Sequence, residues 1–344
     1  MATLTDWAQY AALRLTCGLL EPYPPEQNLQ TAKAFATLYA RLSKRRTERA
    51  RSNIARSFPE FSRAETERLA VASIQNMFEL FMVDALVMPK IVHEWSWTRH
   101  TEIGEFGAAL DLLLSDEPCI FLTGHVGNWE YLGYLLALVG FRMTALARPL
   151  DNPLVSDWLF AARQASGLRV VTKWGATEEL QRIVTGGRRN GNKIAFIADQ
   201  NAGDDGLFVP FFGRLASSYK SIGLLAMRFR LPIVAGYARR LGEHFRYEMA
   251  SADVIRPEEW EAHEDPLFYI TARYNRAIES MVRRAPEQYL WVHRRWKSRP
   301  KHEREGKPMP ERLRRKLESL PWMTPELLAS CERGESAAAP ASPA

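Results

Sequence analysis

The sequence of 344 residues contains only three cysteines, Cys17, Cys119 and Cys331. They are scattered along the chain, so they predict neither a disulfide framework nor a metal site. The histidines lack the spacing of metal ligands. The glycine fingerprints of dinucleotide-binding and P-loop proteins are also missing. We therefore expect no metal and no dinucleotide cofactor.

Long uninterrupted apolar runs are missing as well. No stretch reaches the roughly 18 consecutive apolar residues typical of a membrane-spanning helix, and the N-terminus lacks the pattern of a signal peptide. An apolar series with helical spacing, Leu4, Trp7, Ala11, Leu15 and Leu19, suits either an interfacial helix or a helix packed on a core. We expect any membrane contact to be peripheral or monotopic.

The charge balance is mildly basic. Lysine and arginine exceed aspartate and glutamate by 46 to 40, which gives a net charge of +6. This excess suits anionic partners such as a membrane surface, a phosphorylated lipid or an acidic carrier protein, although a solvated basic surface is the plain alternative. No helix-turn-helix, zinc-finger or RNA-binding signature is present, so we expect no nucleic-acid partner.

Two basic clusters contribute to this excess. The first begins at Lys44 and continues to Arg56, and the second lies among Trp291, Trp296 and Arg299. A charge run is usually a solvated face, but one that faces a membrane can hold anionic headgroups. For the second cluster, lipid contact and structural packing are equal competitors.

The pattern along the chain changes near residue 100. Before that point it predicts helices, broken at Pro24-Pro25, with a second helix over about Leu29 to Ser43 and an amphipathic one from Glu65 to Met88. After it, short apolar segments alternate with helical ones. The predicted strands are Pro118–Thr123, Phe141–Leu146, Lys193–Ala198, Leu231–Tyr237 and Phe245–Ala250, and the predicted helices include Leu154–Ser166, Thr177–Thr185 and Ser218–Arg228.

This alternation predicts an α/β fold, a mixed central sheet with flanking helices, preceded by an N-terminal helical region. We expect a helical, membrane-associating region over residues 1–100 and an α/β domain over residues 101–330. The tail, residues 334–344, is rich in alanine, serine and proline and should be disordered.

The segment Gly124-His125-Val126-Gly127-Asn128-Trp129-Glu130 carries the strongest chemical signal. A histidine at a strand-to-helix turn with a nearby carboxylate is the minimum equipment of a general base. On a regular helix, side chains five positions apart lie on different faces, so a contact between His125 and Glu130 requires irregular backbone, which glycine permits. The alternative is a buried histidine and a glutamate that favours a helix N-terminus.

Three further blocks accompany this motif in the chain. They are Asn53-Ile54-Ala55-Arg56-Ser57-Phe58-Pro59-Glu60; Asp199-Gln200-Asn201-Ala202-Gly203 with Phe208-Val209-Pro210-Phe211-Phe212-Gly213; and Pro286-Glu287-Gln288-Tyr289-Leu290-Trp291 with His293-Arg294-Arg295-Trp296-Lys297. Together with the His-x4-Glu motif they resemble the late acyltransferases of bacterial lipid A biosynthesis, within the His-x4-Asp/Glu glycerolipid-acyltransferase-like superfamily. The resemblance runs from about Asn53 to Pro300.

The resemblance implies a membrane-associated enzyme that moves an acyl chain from a thioester to a lipid hydroxyl. His125 would be the general base and Glu130 its orienting partner. There is no Gly-x-Ser-x-Gly nucleophile elbow, which agrees with direct transfer and no acyl-enzyme. The donor would be an acyl carrier protein or coenzyme A thioester.

Other residues complete the predicted site. Arg148 matches the family's second block, whose arginine is thought to contact a phosphate or the donor, and Asn128 lies inside the motif. Asp199 and Gln200 follow an apolar strand directly, a position that favours function. The run containing Phe208, Phe211 and Phe212 suits an acyl-chain groove, with core packing as the alternative.

The expected acceptor is a lipid A precursor, at the cytoplasmic face of the inner membrane. Alternatives are another lipid acceptor, such as a phosphatidylinositol mannoside or lysophospholipid, a thioesterase-like hydrolase, or a non-catalytic lipid-binding protein. Acyl length and donor type are not readable from these motifs.

Overall fold

The computed structural model describes residues 2–147, 149–172, 176–185 and 192–334. The α-helices in this part of the chain are α1 (Leu4–Leu20), α2 (Pro25–Leu42), α3 (Lys44–Ser57), α4 (Arg63–Glu79), α5 (Ala85–Ile91), α6 (Ala108–Leu114), α7 (Trp129–Leu138), α8 (Pro153–Gln164), α9 (Ala176–Thr185), α10 (Lys220–Phe229), α11 (Pro257–Glu261), α12 (Pro266–Arg284), α13 (Lys301–Arg304), α14 (Glu311–Glu318) and α15 (Pro325–Arg333). The strands are β1 (Thr101–Ile103), β2 (Cys119–Thr123), β3 (Met143–Ala147), β4 (Arg169–Thr172), β5 (Lys193–Ile197), β6 (Leu207–Phe211), β7 (Arg214–Ser218), β8 (Ile233–Arg240) and β9 (Tyr247–Ile255).

The N-terminal region is helical, as predicted. Helix α1 begins with a capping box, in which Thr3 and Asp6 exchange hydrogen bonds between side chain and backbone. Pro25 starts α2, because proline tolerates the first turn of a helix but not its interior. No described residue of α1 is buried, and Leu15 and Leu19 are about 70% exposed, at 69% and 72%. The apolar series of α1 is therefore not covered by the core.

Helix α4, a π-helical turn at Leu80–Asp84 and α5 form one continuous helical stretch, Arg63–Ile91. By length and composition it is apolar enough to cross a membrane, and it is the one such stretch among the described residues. A core helix of a globular protein passes the same test, so the expectation of peripheral or monotopic membrane contact stays a prediction. The stretch packs against α2 and α3, and 44% of its apolar window is buried within the protein.

The central sheet has seven strands in the order β1-β9-β8-β2-β5-β3-β4. All pairs are parallel except β8 with β9, which are antiparallel. The predicted α/β fold class is therefore confirmed, and each of the five predicted strands lies within a few residues of an observed one. Buried aliphatic and aromatic side chains fill both faces of the sheet in two large clusters.

Sequence reading missed four strands. Strands β1 and β4 are three and four residues long, too short for a periodic signal. Strands β6 and β7 form a separate hairpin that turns at Phe212 and Gly213, both with positive φ (51° and 66°). Two predicted features, Arg148 and all but the first residue of the tail 334–344, lie outside the described residues.

The sheet brings two chain segments together at one edge. Strands β2 and β5 are neighbouring parallel strands, with Thr123 opposite Ile197. Both therefore end at the same edge, where ligand sites of open α/β sheets form. His125 and Asp199 each follow the last residue of their strand by two positions, so they emerge side by side.

Candidate active site

His125 contacts Asp199 at two points. The imidazole Nδ1 of His125 lies 2.7 Å from Oδ1 of Asp199, and the backbone N–H of His125 donates to Oδ2 at 3.0 Å. The carboxylate of Asp199 is fully buried, whereas the side chain of His125 is 12% exposed. One carboxylate thus holds both the backbone and the ring of the histidine.

Two glycines allow the backbone to make this turn. Gly127 has a φ of +62°, and a Cβ there would lie 2.0 Å from the carbonyl oxygen of Ala238. A Cβ on Gly124 would lie 2.7 Å from a methyl group of Ile278 and close to Asp199. Only glycine fits such close approaches. The two glycines therefore permit the irregular backbone on either side of His125.

The charge of Asp199 is stabilised where it is buried. Burial alone would raise the pKa of Asp199, but the positive charge available on His125, the hydrogen bonds from His125 and the neighbouring His293 bring that pKa below its ordinary value. Asp199 is therefore ionised at neutral pH. An ionised carboxylate at Nδ1 favours the tautomer that carries its proton on Nδ1 and leaves a lone pair on Nε2.

The other ring nitrogen of His125 is available for chemistry. The amide Nε2 of Gln200 lies 3.3 Å from Nε2 of His125, so the predicted site residue Gln200 does lie beside the histidine. The ring of Trp129 packs edge-on against that of His125, with centroids 4.8 Å apart. The arrangement is that of a histidine base held by a carboxylate, with its lone pair at a polar, partly open position.

Glu130 does not contact His125 in the described residues. Both of its carboxylate oxygens instead accept hydrogen bonds from Arg163 on α8, at 2.8 Å from Nε and 2.5 Å from Nη2. The prediction that Glu130 orients His125 is therefore wrong in its geometry, because Asp199 holds that position. Glu130 lies in the first turn of α7, whereas His125 precedes the helix.

Asn128 also has a structural position. It is 2% exposed, and its Oδ1 caps α7 by accepting from the N–H of Tyr131 at 2.8 Å. Its Nδ2 donates to Asp84 at 2.9 Å, and Asp84 pairs with Arg240. Asn128 thus anchors α7 to a buried ion pair. Its side chain is buried, which disagrees with the prediction that Asn128 contacts the substrate directly.

The phenylalanine run forms strand β6 and its turn. Phe211 and Phe212 are buried in the core, where Phe211 packs on Trp296 and Phe212 on Phe58. Phe208 is partly buried at the edge of the same cluster. Core packing, the alternative weighed for this run, describes Phe211 and Phe212; a groove role stays a prediction for Phe208.

Sequence reasoning missed Arg295 as a structural centre. It is fully buried and donates to Ser218 Oγ at 2.6 Å, to Asn275 Oδ1 at 2.8 Å and to the carbonyl oxygens of Ser217 and Gln200. These bonds join β7, α12 and the segment next to His125. In the sequence, Arg294 and Arg295 both lie between Trp291 and Trp296. This position does not show which of the two arginines is buried.

A family model for bacterial lipid A biosynthesis acyltransferases matches residues 2–298 of this chain. The chain belongs to this family. The resemblance inferred from the four sequence blocks is therefore confirmed, and the protein is an acyltransferase of the lipid A biosynthesis type.

Curated relatives of this acyltransferase point the same way. It is 25% identical to the lipid A biosynthesis lauroyltransferase of Escherichia coli K12 over 86% of this chain and 92% of the relative. It is 26% identical to the palmitoleoyltransferase of that organism over 75% of this chain and 80% of the relative. The myristoyltransferase matches at 25% over 85% and 88%. The names of these relatives specify different acyl chains, so the similarity does not indicate which acyl chain this protein transfers.

The two basic clusters of the acyltransferase meet in space. Arg49 on α3 donates to the carbonyl oxygen of Val292 at 3.1 Å, and Asn53 donates to those of Trp291 and His293. Arg294 and Lys297 are exposed, whereas Arg295 is buried. The second cluster thus combines a packing role and an exposed basic surface. Within the described residues, no group of three or more His, Cys, Asp or Glu side chains is placed to hold a metal ion.

Proposed function

We propose that this protein transfers a fatty acyl chain from a thioester to a hydroxyl group of a lipid A precursor, with His125 as the general base. The observation that carries the proposal is the 2.7 Å contact between His125 Nδ1 and Asp199 Oδ1 at the carboxyl ends of β2 and β5. Family membership supports the reaction class, and the names of the relatives support lipid A as the acceptor.

The base acts through Nε2 of His125. As the acceptor's hydroxyl oxygen attacks the thioester carbonyl carbon, Nε2 takes the hydroxyl proton, and the imidazolium is stabilised by ionised Asp199. The tetrahedral intermediate then collapses, the carbon–sulfur bond breaks, and Nε2 returns the proton to the thiolate. An ester and a free thiol result, and no acyl-enzyme forms.

Asp199 takes the role that the motif's spacing had suggested for Glu130. Its fixed charge orients the ring and favours the reactive tautomer. Glu130, paired with Arg163, positions α8 against α7 instead. Gln200, at 3.3 Å from Nε2, is close enough to bind the acceptor hydroxyl or the intermediate.

The donor is an acyl carrier protein or coenzyme A thioester, and the reaction takes place at the cytoplasmic face of the inner membrane. Exposed apolar side chains on α1 and α2, including Leu19 and Leu42, support a peripheral or monotopic attachment, since such a face binds at a bilayer interface.

The test is mass spectrometry of lipids from host cells that lack this gene, complemented with wild type, His125→Ala or the exposed control His244→Ala. We expect a lipid A species short of one acyl chain, restored by wild type and His244→Ala and not by His125→Ala. With purified protein, His125→Ala should lower kcat by about 10²- to 10⁴-fold.

Other outcomes separate the alternatives. Unchanged lipid A with another lipid under-acylated would move the acceptor to that lipid. Release of free fatty acid without acceptor would indicate a hydrolase. Full restoration by His125→Ala would remove the histidine from the mechanism.

A further inference from the structure

A basic cavity lies between α3 and the segment that follows Trp291. It has a volume of about 360 Å³, and no acidic side chain lines it. Its cationic lining residues are Arg45, Arg49, Arg56, Arg294 and Lys297. The hydrogen bonds from Arg49 and Asn53 to residues 291–293 join its two walls, so the cavity is part of the fold and not a chance approach of mobile side chains. We call it the basic pocket.

Three cations of the basic pocket have no carboxylate partner in the described part of the chain. Among the described residues, Arg45, Arg294 and Lys297 form no ion pair with a carboxylate, in contrast to Arg51, which pairs with Glu48 and Glu67. Burial and the nearby charges of Arg294, Arg45 and Arg46 lower the pKa of Arg49. Like charges this close repel one another, and a bound anion would relieve the repulsion.

The basic pocket adjoins the reacting histidine. His293 lines the pocket, and its ring centroid lies 5.1 Å from that of His125. Burial brings the pKa of His293 down to about 4, so the wall between pocket and base is neutral at physiological pH. A substrate held by its anionic group in the pocket therefore lies close to His125, with His293 between them.

An apolar groove lies near the basic pocket. It has a volume of about 810 Å³ between α1, α2 and α4, and exposed Leu19, Phe35, Leu38 and Leu42 line it. Leu42 ends α2, and Arg45 follows on the first turn of α3. Arg46, the neighbour of Arg45 in the chain, donates a hydrogen bond to Tyr39, which lines the groove. A membrane lipid with hydrocarbon chains and an anionic headgroup matches this succession.

We propose that the basic pocket binds a phosphate group on the headgroup of the lipid acceptor and so places the acceptor hydroxyl at His125. Guanidinium groups hold phosphate oxygens through paired, charge-assisted hydrogen bonds, and Lys297 adds a point charge. This inference rests on the proposed function, because it assigns the acceptor of that reaction to a defined surface.

The test measures binding of the full chain and does not require turnover. The probes are phosphatidylcholine vesicles containing a small fraction of a phosphorylated lipid A precursor or of the same lipid after dephosphorylation. The variant is Arg45→Gln/Arg294→Gln/Lys297→Gln. The matched control is Arg63→Gln/Arg312→Gln/Arg333→Gln, which removes three exposed charges elsewhere.

Wild type, the control and His125→Ala should all prefer the phosphorylated lipid. The pocket variant should lose on the order of 100-fold in affinity for it, at about one kcal/mol per cation near an anionic lipid surface, and should bind the dephosphorylated lipid as wild type does. If the triple variant unfolds at lower temperature than wild type, the single variants Arg294→Gln and Lys297→Gln should each lose about fivefold.

Three results would overturn the proposal. One is unchanged affinity in the pocket variant. Another is equally tight binding of wild type to phosphatidylglycerol vesicles of the same surface charge, because this would show non-specific electrostatic attraction to the membrane surface. The third is a raised KM for the thioester donor with lipid binding intact, which would assign the pocket to the donor's phosphate. If His125→Ala retains full activity, His125 is not the general base, but the binding results are unaffected. The two proposals can therefore fail independently.

Discussion

His125 and Asp199, separated by 74 positions in the chain, are joined by two hydrogen bonds to one carboxylate, 2.7 Å from the ring and 3.0 Å from the backbone N–H. The bond to the backbone N–H depends on the sheet, because the pairing of β2 with β5 determines where the loops after these two strands lie relative to each other. The same carboxylate therefore contacts both the imidazole ring of His125 and the backbone that carries it.

Exchanging each of two carboxylates for its amide should separate their roles. In Asp199→Asn the amide places a donor or a weaker acceptor at Nδ1, which favours the tautomer with its proton on Nε2. We expect kcat to fall by roughly 10³- to 10⁴-fold with folding retained. Glu130→Gln should lower kcat less than about tenfold, because it weakens the pair with Arg163 and leaves His125 untouched.

Steady-state kinetics on the two variants, with thermal unfolding as the control for folding, decides between them. Equal losses of kcat in both variants would contradict the proposal that Asp199 orients His125. A larger loss in Glu130→Gln would indicate that Glu130 has this role instead.

Arg295→Met should destabilise the fold strongly. The substitution leaves the acceptors on Ser218 and Asn275 and the carbonyl oxygen of Ser217 buried without their donor. We expect a loss of about 3 kcal/mol in the free energy of unfolding. The adjacent, exposed Arg294→Met should change it by no more than about 0.5 kcal/mol. Denaturant unfolding monitored by tryptophan fluorescence measures both, and equal effects would contradict the buried role of Arg295.

His293 should make the protein less stable in mild acid. Burial lowers the pKa of His293 from 6.5 to about 4 in the folded state. Between these two pH values, His293 is protonated in the unfolded chain and neutral in the folded chain. The free energy of unfolding should therefore fall as the pH drops from about 6.5 to about 4, by up to about 3 kcal/mol.

His293→Gln should flatten that part of the pH profile in denaturant unfolding experiments. His302, whose pKa burial also lowers, provides the comparison: His302→Gln should retain most of the slope. The lowered pKa of Asp199 contributes only below its ordinary value of 3.8, outside this window. An unchanged slope in His293→Gln would refute the prediction.

Much of the fold was predictable from local patterns. Alternation of short apolar segments with helical ones predicted the five longer strands of the sheet. Strands β1 and β4 carry too few residues to show a period, and β6 was interpreted as a groove because aromatic residues suit a strand and a lipid site equally.

The sequence by itself indicated the family and singled out His125 as the candidate base. Gly124, His125 and Gly127 occur together in one short segment, and their chemistry is local: a base needs a turn that only glycine allows. The other blocks are likewise contiguous in the chain, so their order and spacing were sufficient to indicate the acyltransferase family.

Only the tertiary structure decided which carboxylate serves His125. Glu130 is near in sequence, but the helix that begins at Trp129 carries it toward Arg163. Asp199 is far in sequence, but the parallel pairing of β2 with β5 brings both strand ends to one edge. Strand order is set by the packing of the whole sheet, so contacts between its loops are not encoded in any single segment.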